Sequence, residues 1–67
     1  MSNNKKLGAE IEYVRKLKKF SVIYMCNALA LSTEQEYRDV IAGRVTLSVF
    51  QKIMLITATE YPYENIL

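Results

Sequence analysis

Apolar residues return at a helical interval from Leu7 onward. Leu7, Ile11, Val14 and Leu17 stand at i, i+4, i+7 and i+10, which is one stripe of a helix. Glu10, Glu12, Arg15, Lys16, Lys18 and Lys19 take most of the other faces, acids first and bases last, the order the helix dipole favours. The polar stretch 1–6 before this stripe is expected to be a disordered arm, with 7–67 forming a single domain. The next run, Val22 to Leu31, has Asn27 as its one strongly polar residue. Periodicity alone does not separate a buried helix from a buried strand in such a run. Val22, Ile23 and Tyr24 have strand propensity, whereas Met25, Ala28, Leu29 and Ala30 favour helix. Helical neighbours on both sides decide for a second helix, about Val22 to Leu29, with Ser21 as its N-cap.

Ser32 and Thr33, followed by Gln35 and Glu36, offer a capping box for a third helix over about Thr33 to Ala42. Tyr37, Val40 and Ile41 would face inward, and Gly43 suits the left-handed residue that closes a helix. After a short connection, Ser48 is the next cap. A fourth helix, about Val49 to Thr59, carries Val49, Phe50, Ile53, Met54, Leu55 and Ile56. Pro62 ends it, and the tail from Glu64 to Leu67 is expected to add one more turn. The pattern predicts an all-α fold of four to five short helices.

Composition narrows the function. The chain has 67 residues, 51% of them hydrophobic, and a formal charge of +2. A domain this small leaves little room for both a core and a walled pocket, so no enzymatic role is expected. It has no His and a single Cys, Cys26. Imidazole chemistry, an intrachain disulfide and a multi-thiolate metal site are therefore excluded, and no cofactor or metal is expected. Cys26 reads as a small buried hydrophobe. No apolar run reaches the roughly 18 residues of a membrane span. A secretory leader read over Lys5 to Ala30 conflicts with Glu10, Glu12 and the helical stripe there. The expected setting is the cytoplasm, with Cys26 reduced.

Order and spacing together carry a resemblance. Leu7-Gly8-x-x-Ile11-x-x-Val14-Arg15, Phe20-Ser21, Val40-Ile41-Ala42-Gly43-Arg44, and Ser48-Val49 followed by Ile53, Leu55 or Ile56, and Ala58 resemble successive helices of the Cro/CI (Xre-type) helix-turn-helix regulators. The resemblance runs from Leu7 to about Tyr63. It implies a repressor-type helix-turn-helix fold whose third helix reads DNA, acting in transcription regulation. The chain also departs from that family. Val22, Ile23 and Tyr24 stand where the family has polar residues, one of which contacts phosphate. Ala30 stands where the family has a turn glycine. The link from Leu31 to Gly43 is one residue longer.

Charge sharpens the DNA question. Residues 1–31 hold six basic and two acidic residues, whereas 32–67 hold three basic and five acidic. Arg15, Lys16, Lys18, Lys19 and Arg44 are the candidates to grip phosphates. Thr33, Gln35 and Arg38 are the candidates to reach base edges, Gln matching adenine and Arg guanine. Glu34, Glu36 and Asp39 oppose them.

The apolar content exceeds one small core. Taking Val49, Ile53 and Ile56 as the inner face of the fourth helix leaves Phe50 and Met54 largely off it, and exposed clusters mark association surfaces. Phe50, Met54, Tyr61 and Tyr63 are thus candidates for a homodimer or partner interface. Two functions are expected from these features. One is a regulator binding double-stranded operator DNA as a homodimer. The other is a helix-turn-helix-like module that antagonises or sequesters a protein partner, such as a transcription factor, without reading DNA.

Overall fold

The computed structural model describes residues 3–66. Among them lie four helices and no strand: α1 (Asn3–Lys18), α2 (Val22–Ala28), α3 (Glu34–Ile41) and α4 (Val49–Thr59). The fold is all-α, and its tail makes a turn at Glu64 and Asn65 rather than a further helix. No helix among the described residues is long and apolar enough to cross a membrane.

Local chemistry fixes where each element starts. The hydroxyls of Ser21, Thr33 and Ser48 accept from the third backbone N–H beyond them. Thr33 with Glu36, and Ser48 with Gln51, complete reciprocal capping boxes. The first three helices end alike. Lys19, Ala30 and Gly43 adopt positive φ, and paired bonds such as Phe20 N–H to Arg15 O, Leu31 N–H to Cys26 O and Arg44 N–H to Asp39 O close Schellman motifs. Ala30 thus takes the left-handed conformation at the position where a glycine would be unstrained. Thr33 is the N-cap of α3, so Leu29 to Ser32 make the connection from α2.

Ile11, Val14, Met25, Leu29, Tyr37 and Leu55 are fully covered, and Leu7, Cys26, Val40, Leu47 and Tyr63 complete the core. α1 lies across α3 at two glycines. A methyl on Gly8 would overlap the backbone carbonyls of Val40 and Ile41, and one on Gly43 would meet the Lys5 backbone at 2.7 Å.

Three expectations are corrected. Residues 3–6 are the first turn of α1 rather than a disordered arm. Lys5 packs on Gly43 there, and the Asn4 amide donates to Thr46 Oγ1 at 2.7 Å, so tertiary contact outweighs polar composition. Leu17 is 55% exposed, because the chain turns at Lys19 and Phe20 packs against the core instead. The fourth helix is rotated from the expected setting: Leu55 and Thr59 face the core, while Val49, Ile53 and Ile56 join Phe50 outside.

Candidate nucleic-acid interface

α1 and α3 run antiparallel where they meet. Lys5 lies against Gly43, Gly8 against Val40 and Ile41, and Glu12 against Tyr37, whose hydroxyl donates to Glu12 Oε1 at 2.9 Å. The Arg15 guanidinium clamps the same carboxylate, Nε to Oε1 at 2.9 Å and NH2 to Oε2 at 2.7 Å, and NH1 donates to Phe20 O at 3.0 Å. The hydrogen bonds from Arg15 hold the Glu12 carboxyl down at about 2, against an ordinary 4.5. Burial, and then the bond to Glu12, push the Tyr37 hydroxyl up.

This network decides what the basic cluster offers. Arg15 is committed to Glu12 and the Phe20 carbonyl, so it braces α1 against the α1–α2 connection rather than standing free to grip a phosphate. Lys18 is committed as well: its Nζ donates to Thr59 O at 2.6 Å and Glu60 O at 3.3 Å, capping the carbonyl end of α4. Lys16 and Lys19 remain exposed. Lys16 Nζ lies 3.7 Å from Glu12 Oε2, which places it next to the carboxylate that Tyr37 of α3 reaches.

α3 turns Tyr37 and Val40 inward and leaves Glu34, Gln35, Glu36 and Arg38 exposed. Thr33 is occupied as the cap. Gln35 Nε2 donates to Asp39 Oδ1 at 3.1 Å, Arg38 pairs with Glu34 at 3.3 Å, and Arg44 pairs with Asp39 at 3.1 Å. Each cation on this helix and its exit therefore has an acidic neighbour. Such exposed pairs contribute at most about 1 kcal/mol. Lys5, exposed and packed beside Gly43, adds a cation near Arg44 that sequence reasoning missed by placing it in an arm. The i, i+3 spacing of Glu12 and Arg15 was a readable sign of the internal clamp.

The candidate interface residues divide. Phe50 is exposed and Met54 half-buried. Tyr61 is half-buried and packs edge-on to Tyr63, with ring centres 5.1 Å apart. Tyr63 itself is a core residue, its hydroxyl 2.8 Å from Thr59 Oγ1, so it is withdrawn from the interface. The Cys26 thiol is buried, and burial followed by the charges of Glu34 and Glu36 pushes its pKa up, the opposite of a reactive thiolate. No group of three or more metal-binding side chains occurs among the described residues.

No protein-family model matches the chain, and no curated protein or solved structure matches it either.

Proposed function

We propose that the chain is a small transcription regulator of the Cro/CI type, binding double-stranded DNA in the cytoplasm with α3 as the reading helix. The build of α3 carries this reading. It is capped at Thr33, closed at Gly43 and anchored by Tyr37 and Val40, yet its outer face, with Gln35 and Arg38, is committed only to weak surface pairs. A major groove admits such a helix, and Gln and Arg are the side chains that read adenine and guanine there. Lys16, beside the carboxylate that Tyr37 reaches, and Lys5 and Arg44, on either side of the Gly43 contact, would grip phosphates, with the exposed Lys19 adding to the α1 end. Arg38 would exchange Glu34 for a base edge at little cost.

A salt titration of duplex binding tests this reading. Lys5, Lys16, Lys19 and Arg44 predict a slope of log K against log salt of roughly −3 to −4 per bound protomer. Lys19→Met should flatten the slope by about one while leaving the melting temperature unchanged. Lys18→Met should do the reverse, lowering stability without touching the slope. Absence of binding to any duplex at low salt rejects the reading.

Three observations together favour a second reading, a module that engages a protein rather than DNA. Arg15 and Lys18 are consumed inside the fold, α3 bears Glu34, Glu36 and Asp39, and Ile23 is exposed near the start of α2. Rejection of DNA binding would leave this reading standing.

A further inference from the structure

Both carboxylates of α1 are spent on hydrogen bonds within the fold, whereas most of its lysines are not. Glu10 accepts from Glu64 N–H, Asn65 N–H and the Asn65 amide, and Glu12 holds Arg15 and Tyr37. Between these two acids, on the side of the helix away from Ile11, lie Lys5, Lys6, Ala9, Tyr13, Lys16 and Leu17. They fall within about a third of the circumference, and all six are exposed. No acidic residue of α1 falls in this strip. Lys16 alone in it has an acid nearby, Glu12 at 3.7 Å, and that carboxylate is already shared with Arg15 and Tyr37. Tyr13 stands at the middle, 58% exposed. Its ring has no aromatic neighbour and its hydroxyl no hydrogen bond among the described residues. Ala9, one turn earlier on the same side, is too small to cover the ring.

We propose that this strip binds single-stranded nucleic acid, one base stacking on Tyr13 while the phosphates on either side meet Lys6 and Lys16. Charge and ring together choose the occupant. A single strand is a polyanion whose unpaired bases present flat faces, and cations interleaved with an exposed aromatic ring hold both parts. Lys6 and Lys16 stand about 15 Å apart along the axis with Tyr13 between them, so a strand of a few nucleotides spans the strip. A duplex keeps its bases stacked inside and would use only the cations. A membrane surface would find only Tyr13 and Leu17 to bury. Gly8 and Glu12 face α3, and Tyr13 and Lys6 lie about 100° or more around the helix from Glu12. The strip therefore stands apart from the proposed duplex site, with Lys16 on the border of both.

The test is fluorescence anisotropy of the full chain, at low salt, with labelled oligodeoxyadenylate and oligoadenylate of about 12 nucleotides. Binding of either supports the proposal, and the tighter one names the sugar preferred. Tyr13→Ala should weaken binding about tenfold or more, whereas Tyr13→Phe keeps the ring and should keep the affinity. Lys6→Gln should flatten the salt slope by about 0.7. Tyr13 and Lys6 lie outside the core, so helical circular dichroism should persist in each variant. An abasic strand of the same length, with phosphates and no bases, should bind markedly more weakly, and so should a glutamate oligomer. Equal binding of either control, no binding of both oligonucleotides, or indifference to Tyr13→Ala overturns the proposal. Arg38→Ala should leave strand affinity unchanged, and Tyr13→Ala should leave duplex binding unchanged, so each site can fail without the other.

Discussion

Glu12 is among the most heavily used side chains of the described residues. Its carboxylate receives Arg15 and Tyr37 and lies near Lys16, so one residue of α1 orients the end of its own helix and the middle of α3. Its pKa is depressed, so its contribution to stability is complete above about 4.5 and is lost as the pH falls through about 2. Urea unfolding between pH 6 and pH 2 should therefore show a decline of about 2 kcal/mol from this residue, discounted for partial exposure. Glu12→Gln should remove most of that decline, and an unchanged pH profile would contradict the assigned role. The network was half legible in the sequence. The spacing of Glu12 and Arg15 announces a pair, but Tyr37 lies 25 residues away, and only tertiary packing brings it in.

At the scale of elements, the helix ends were the readable part. Ser21, Thr33, Ser48 and Gly43 sit where their local chemistry places them, because a cap depends on a few adjacent residues. The facing of the helices was less readable. In α4 apolar residues fall on every side of the helix, so the pattern does not say which side meets the core, and Leu55 rather than Ile53 turns inward. Two substitutions test the joints. Gly8→Ala should push α1 away from the carbonyl end of α3 and lower stability by about 3 kcal/mol in thermal unfolding. Ala30→Gly should act oppositely, relieving a φ of 56° and raising the melting temperature by a few degrees, a gain of roughly 0.5–1 kcal/mol. A loss of stability in Ala30→Gly would mean that the turn bears no strain.

The whole molecule is closed by the segment after Pro62. Tyr63 fills the core, and the Glu10 carboxylate accepts from Glu64 N–H, Asn65 N–H and the Asn65 amide at 2.8 to 3.1 Å. In the sequence this segment reads as a tail, because Pro62 and a polar neighbourhood look like an ending; its partner is 54 residues earlier. A chain stopped after Pro62 should lose a cooperative melting transition, since it forfeits a buried aromatic and the Glu10 clamp together. A retained transition would show that the first four elements suffice. The same closure sets a timetable for synthesis. A ribosome adding roughly 5–20 residues per second delivers Tyr63 some seconds after Leu7, and through that interval the core cluster lacks its Tyr63 member. The nascent chain must carry part of its apolar surface uncovered until Tyr63 emerges, so the interval before closure is when this domain is most open to capture by a chaperone or by another copy of itself.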